Sequence, residues 1–204
     1  MTNTEPGAAD LLDALPPVTA ADLAALHSRL AESADTAGLL DVAYRTVDTP
    51  VGALLLAATR EGLVRVAYGI EGHDRVLQAL AARVSPRILS APGRLDAAAR
   101  EIDEYFAGRR RRFDLPLDYR LASGFRLRVL GHLPDIGYGR TASYRAVAAA
   151  VGSPRAVRAV GTACATNPLP VVVPCHRVIR SDGGIGGYRG GPEAKRLLLD
   201  LEAA

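Results

Sequence analysis

Apolar and polar residues recur with different periods along this chain, and each period predicts an element. Residues 1–18 hold no sustained pattern and read as a flexible leader. From Thr19 the stretch TAADLAALHSRLAES sets Leu23, Leu26 and Leu30 at helical spacing, with Thr19 as N-cap and Asp22 three residues on, so a short amphipathic helix is expected. LLDVAYRTVDTPVGALLLAATREGLVRVAYGI then turns to branched and aromatic residues. Breaks at Thr49-Pro50 and Arg60-Glu61-Gly62 predict three antiparallel strands joined by hairpins. DRVLQALAARV and PGRLDAAAREIDEYFAGR return to the helical period, the second with Leu95, Ala99, Ile102 and Phe106 on one face. SGFRLRVLGHLPDI opens another helix, with Ser123 as cap and Phe125, Val129 and Leu130 as its apolar stripe.

Composition narrows the class. The 204 residues, 49% of them apolar, can bury one substantial core or two small ones. No apolar run approaches the ~20 residues of a membrane span, and no basic segment precedes a hydrophobic one at the N-terminus, so a cytoplasmic protein is expected. The two cysteines, Cys164 and Cys175, are too few for a disulfide framework and lie in no zinc-type cluster, so reduced thiols and no metal are expected. Charge is uneven: residues 1–119 carry a net −4 and residues 120–204 a net +7. That asymmetry points to a polyanion partner for the second half. The run Arg109–Arg112 admits two readings, a DNA-facing patch or a solvated loop.

Within the basic half, TASYRAVAAAVGSPRAVRAVGTACATNP reads as a helix-turn-helix. One helix covers Tyr144 to Val151, Gly152-Ser153 make the link, and Pro154 opens a second helix. Ala156, Ala159 and Ala163 fall near one face of that helix with Gly161 beside them, while Arg155 and Arg158 project. A slim helix of Ala and Gly has little with which to read base edges in a major groove. An arginine offered from it suits the minor groove or a gap in the base stack.

The chemistry concentrates in PLPVVVPCHRVIRSDGGIGGYRGG. Val171 to Val173 read as a buried strand that Pro174 stops, which leaves Cys175 at the strand end, where a side chain can face a pocket. A thiol reacts as thiolate, and His176 and Arg177 supply the kind of neighbours that lower its pKa. The glycines from Gly183 to Gly191 make a loop able to approach a ligand closely, but they match neither a P-loop nor a dinucleotide fingerprint.

Together, PCHRV, the preceding Asn167-Pro168, RAVG at Arg158–Gly161, Ser143-Tyr144, GYRGG and the final LLLDLE resemble the O6-alkylguanine-DNA alkyltransferases over about residues 38–203. The resemblance implies an α+β protein: an N-terminal extension over residues 1–37, a ribonuclease-H-like α/β domain over 38–119, and a helical DNA-binding domain over 120–204. It implies a single-turnover transfer of an alkyl group from guanine O6, with thymine O4 as a second candidate, to Cys175, without a cofactor. His176 would take the thiol proton through a water and Glu202 would hold the imidazole. Tyr144 would donate to guanine N3, and Arg158 would fill the space of the flipped nucleotide. Asn167 would tie the helix-turn-helix to the active-site segment. Pro174, Val178, Tyr188 and Arg189 would line the base pocket, and Ala156, Ala159, Gly161 and Arg155 would meet DNA. The implied partner is double-stranded DNA carrying O6-alkylguanine, bound by a monomer with cooperative binding along DNA left open, and with no membrane involved.

Three rivals predict different behaviour. An alkyltransferase-like binding protein would lack the acceptor that Cys175 supplies. A cysteine hydrolase would leave the helix-turn-helix and the basic half unused. A sequence-specific regulator would bind duplex regardless of Cys175.

Overall fold

A computed structural model describes residues 18–203; most of the expected leader lies outside the described residues. Helix α1 (Ala20–Thr36) begins with the expected capping box, in which Asp22 N–H donates to Thr19 Oγ1 at 3.1 Å and Thr19 N–H donates to Asp22 Oδ2 at 2.9 Å. Its leucines do not enter the core: Leu23, Leu26 and Leu30 are each about half exposed, and Ala31 is its buried residue.

The three expected strands form, as β1 (Val42–Val47), β2 (Leu54–Ala58) and β3 (Leu63–Tyr68), paired antiparallel in sequence order. A fourth, β4 (Ile88–Ser90), adds parallel to β1, so the sheet runs β3-β2-β1-β4. Alternation along β2 sorts Leu54 and Leu56 to one face and Leu55 and Ala57 to the other. Helix α2 (His73–Arg83) covers the second face with Val76 and Leu80, and helix α3 (Asp96–Phe106) presents Ala98, Ile102 and Tyr105 to the first.

The free edge of β3 is covered rather than open. Leu63 N–H donates to Pro116 O at 2.8 Å, and Val66 N–H donates to Pro168 O at 2.9 Å. That second bond lays the chain leading to Cys175 directly against the sheet.

The C-terminal half consists of α4 (Gly124–His132), α5 (Tyr144–Ala150), α6 (Val157–Ala165) and α7 (Gly191–Ala203). Two-residue strands β5 (Ala142–Ser143) and β6 (Val178–Ile179) pair in parallel and tie the start of α5 to the exit of the cysteine segment. Ser123 stands at the N-cap of α4 but makes no side-chain cap bond.

Two sequence expectations need correction. The second helix of the helix-turn-helix opens at Val157, with Ala156 as N-cap, while Pro154 and Arg155 belong to the preceding turn. Gly152, in the left-handed region, ends α5 and lets Ser153 N–H reach Ala148 O at 2.8 Å, so the chain must unwind before the new helix starts. Val171–Val173 are not a strand either. Pro168, Pro170 and Pro174 remove N–H groups that a ladder needs, and Val171 takes φ +71° inside a tight buried turn.

Candidate active site

That turn is held by one side chain. Asn167 accepts from Leu169 N–H at 2.9 Å, and its Nδ2 donates to Val173 O at 2.9 Å and to Cys175 Sγ at 3.2 Å. Asn167 is therefore more than the expected tether: it gives the sulfur a direct donor. Pro174 then caps a 3-10 turn, Cys175–Arg177, which carries sulfur, imidazole and guanidinium in succession. In such a turn adjacent side chains need not point to opposite faces, as they do on an extended strand.

His176 is fully buried, and its Nε2 lies 2.8 Å from Glu202 Oε1 on α7. Glu202 gathers further donors: Arg177 Nε at 2.8 Å and Nη2 at 2.9 Å, Tyr105 Oη at 2.8 Å, and Gly139 N–H at 3.2 Å. Burial alone would push this carboxyl upward, but the bonds from His176 and Arg177, with their charge, hold it at about 2. Burial pushes the His176 pKa down, with Glu202 partly opposing. The consistent state is a neutral imidazole with its proton on Nε2, facing a carboxylate already neutralised by Arg177. His176 Nδ1 then remains as an acceptor, buried and without a protein partner.

Cys175 is 2% exposed. Burial raises its pKa, opposed by the Asn167 donor and the positive charge of Lys195. Burial thus favours the thiol at rest, against the lowering expected from His176 and Arg177 as sequence neighbours. Arg177 does not serve the sulfur as adjacency suggested; it is committed to Glu202 and to Ile136 O. Sequence reasoning missed Lys195, fully buried on α7, whose Nζ donates to Val178 O at 2.6 Å and lies 6.0 Å from the Tyr144 ring centroid. Glu202 one helical face further along α7 was the available signal, since positions seven apart share a face.

Around the sulfur stand Tyr144 and the glycine loop. Ser143 caps α5 by accepting from Ala146 N–H at 3.1 Å, which sets Tyr144 at the helix start. Burial raises the pKa of Tyr144, so its hydroxyl keeps its proton. Gly186 has φ +67°, and a Cβ there would stand 2.9 Å from the Tyr144 hydroxyl. Tyr188 packs edge-on to His176, with centroids 6.4 Å apart, and its hydroxyl meets Tyr68 Oη of β3 at 2.9 Å. A Cβ on Gly190 would lie 2.6–2.8 Å from atoms of the Tyr68 ring. Arg189 turns to the first half of the chain, with Nη1 3.3 Å from Glu71 Oε2. Val178 is buried at the start of β6.

Helix α6 shows Arg158, Ala159, Thr162 and Ala165 to solvent, whereas Val160, Ala163 and Cys164 face the core. Ala163 thus leaves the expected small-residue face. Ala156 and Gly161 are half-buried, and Arg155 is exposed in the turn before the helix. In the arginine run, Arg109 pairs with Asp103, Arg110 with Glu101 and Glu104, and Arg111 lies over the Tyr138 ring. Most of that run is engaged within the protein, as a loop surface would be.

Comparison with known proteins agrees with this arrangement. Residues 42–119 match the ribonuclease-like domain of 6-O-methylguanine DNA methyltransferase, and residues 124–204 match its DNA binding domain. The methylated-DNA–protein-cysteine methyltransferase of Mycobacterium tuberculosis strain H37Rv is 40% identical over 159 residues, covering 78% of this chain and 91% of the relative. The constitutive enzyme of Bacillus subtilis is 38% identical over 163 residues, covering 78% and 94%. Among solved structures, the M. tuberculosis O6-methylguanine methyltransferase superposes with a TM-score of 0.70 at 38% identity, covering 79% of this chain and 93% of that one. The M. tuberculosis OGT in complex with DNA gives 0.69 at 39% identity, covering 79% and 92%. With an imidazole and a carboxylate in contact next to a buried cysteine in the chain, and with both halves matched, this chain belongs to the methylated-DNA–protein-cysteine methyltransferase family.

Proposed function

We propose that Cys175 is the alkyl acceptor in a direct reversal of DNA alkylation, with His176 as its base, Glu202 as the group that orients and steadies that base, and Asn167 and Lys195 as the donors that stabilise the sulfur's charge as it forms. The observation that carries this reading is the buried, unpartnered Nδ1 of His176, whose other nitrogen is fixed on Glu202. The thiol proton passes to Nδ1 through a water. Sulfur attacks the alkyl carbon, a C–S bond forms, and the carbon–O6 bond breaks. Negative charge moves onto the leaving guanine, to whose N3 Tyr144 donates a hydrogen bond, and the proton that His176 took from sulfur finally neutralises the guanine anion. The thioether does not hydrolyse, so each molecule acts once, and the sulfur itself takes the place of a cofactor.

A thiol at rest suits this sequence of events. Because burial disfavours the thiolate, ionisation is coupled to arrival of the alkylated base, whose leaving guanine takes up the negative charge as the sulfur is alkylated. The base reaches Cys175 by leaving the duplex, with Arg158 entering the stack from α6 and the Gly186–Tyr144 contact giving way. Pro174, Val178 and Tyr188 line the pocket; Ala156, Ala159, Gly161 and Arg155 lie against the DNA. The extension over 1–37, the α/β domain over 38–119 and the DNA-binding domain over 120–204 are the working division, and the family matches fall inside those bounds. The chain works as a cytoplasmic monomer, where a reactive thiol stays reduced. Among the described residues, no helix is long and apolar enough to cross a membrane.

Incubation with a duplex carrying O6-methylguanine is expected to add one methyl to the intact mass, mapped by peptide sequencing to Cys175 and not to Cys164. Repaired duplex with unchanged protein mass would overturn the assignment. Arg158→Ala is expected to slow repair of duplex by about tenfold or more while leaving attack on free O6-methylguanine base unchanged, because unstacking costs a few kcal/mol only in the duplex. Equal slowing on both substrates would remove Arg158 from base extrusion.

A further inference from the structure

A cavity of about 490 Å³, with neither Cys175 nor His176 in its lining, lies between α2 and the segment after the glycine loop, within the size range of small-molecule sites. Four arginines line it, Arg65, Arg75, Arg83 and Arg189, against a single carboxylate, Glu71. Glu71 is already shared: Arg65 and Arg189 both pair with its Oε2. Arg75 and Arg83 have no carboxylate partner among the described residues, and they stand eight positions apart on one helix, about 12 Å along its axis. The lining therefore carries three uncompensated positive charges spread over a distance that one compact anion does not span.

The rest of the lining is apolar. Val76 and Leu80 are buried on α2, and Leu121 belongs to the same apolar cluster. A ligand matched to both features has several negative charges in a chain and one flat, weakly polar body. Arginine forks bind phosphate oxygens two at a time, and guanidinium planes stack on aromatic rings. From this juxtaposition of free arginines and an apolar floor we propose that the cavity binds a nucleoside polyphosphate, its phosphates on Arg75, Arg83 and Arg189 and its base against Val76, Leu80 and Leu121.

The site also touches the active-site loop. Arg189 is flanked by Tyr188, which packs on His176, and by Gly190, which packs on Tyr68. An anion that draws Arg189 from Glu71 shifts the segment that carries Tyr188, so occupancy is coupled to the rate of alkyl transfer. This coupling rests on the active-site reading above; binding itself does not.

The test is calorimetric titration of the full chain, without DNA, using ATP, sodium tripolyphosphate and adenosine as probes. ATP is expected to bind at one site, tripolyphosphate at least tenfold more weakly, and adenosine without measurable heat. Arg75→Ala/Arg83→Ala is expected to lose at least tenfold in ATP affinity while accepting methyl from O6-methylguanine duplex at the wild-type rate. Saturating ATP is expected to change the wild-type rate on free O6-methylguanine base at least threefold and to leave the double variant unaffected. ATP affinity unchanged by the double substitution, or equal affinity for tripolyphosphate, overturns the nucleotide site. A double variant that ignores ATP as the wild type does, but whose duplex binding has a shallower salt dependence, makes the cavity a DNA phosphate contact instead and overturns the proposal. No rate change at saturating ATP overturns the coupling. Loss of methyl transfer in the wild type without nucleotide would count against the active-site reading alone.

Discussion

Cys175→Ser is expected to bind O6-methylguanine duplex with near wild-type affinity and to gain no methyl. The hydroxyl is close in shape to the thiol, and Asn167 Nδ2, 3.2 Å from the sulfur, keeps an acceptor in front of it. The fold should therefore lose no more than about 1 kcal/mol. Reactivity is another matter. Even the thiol is held above its ordinary pKa by burial, and in the proposed mechanism transfer depends on Asn167, Lys195 and His176 overcoming that penalty when the base arrives. A hydroxyl is a far weaker acid in the same enclosure, so the same donors leave it protonated, and a protonated oxygen does not displace an alkyl group. Cys164 makes the experiment sharper. It is also buried, 7% exposed, and burial likewise raises its pKa, but it has neither the Asn167 donor nor a place on the Cys175–Arg177 turn. The measurement is intact mass beside a binding isotherm for the same preparation. A methyl appearing on Cys164 in the variant, or single-methyl uptake at the wild-type rate, would show that residue 175 is not the acceptor.

The contrast between those two cysteines illustrates what a sequence carries and what it does not. Local physics was legible. The Thr19–Asp22 capping box, the hairpins of β1 to β3 and the periods of α2, α3 and α5 depend on neighbours within a few positions, and the structure has them where the pattern put them. Strand β4 was not legible, because three residues hold no period and its parallel pairing to β1 is made by a contact more than forty residues away. Val171–Val173 misled for a physical reason: branched apolar residues belong equally in a strand and in any buried turn, and three nearby prolines together with the Asn167 side chain decided for the turn. Cys175 and His176 stand out locally, beside Pro174 and ahead of the glycine loop, whereas Glu202 is reached only through the family resemblance, and the fold brings His176 and Glu202 into contact. Arg177 and Tyr105 carry no local mark. Their roles exist only once α7 and α3 place Glu202 between them, and Tyr105 reaches it across 97 positions of sequence.

That convergence on Glu202 sets the second large effect: Glu202→Gln should cost about 3–5 kcal/mol of stability and slow methyl transfer at least about 100-fold. The carboxylate accepts from five donors in a site where its own side chain is 1% exposed, and two of them belong to the buried Arg177 guanidinium. An amide keeps the shape but turns two hydrogens toward those donors and leaves the Arg177 charge uncompensated. It also no longer fixes the His176 proton on Nε2, so Nδ1 ceases to be the settled acceptor for the thiol proton. Acid response separates these contributions. The Glu202 carboxyl lies at about 2 in the fold, below its unfolded value near 4.5, so its stabilisation is complete above the unfolded value and is lost as pH falls from there toward 2. His176 is also depressed, so the unfolded state takes up a proton first and stability starts to fall below about 6.5. Urea unfolding followed from pH 7.5 to 3 should therefore show two declines in the wild type, and Glu202→Gln should start lower and show a shallower second decline, the remainder coming from carboxylates such as Asp22 and Asp41 whose pKa values are also lowered. A variant that matches the wild type in both denaturation midpoint and transfer rate at neutral pH would mean that the imidazole needs no carboxylate behind it, and that Arg177 tolerates burial through Ile136 O and the Tyr138 ring alone.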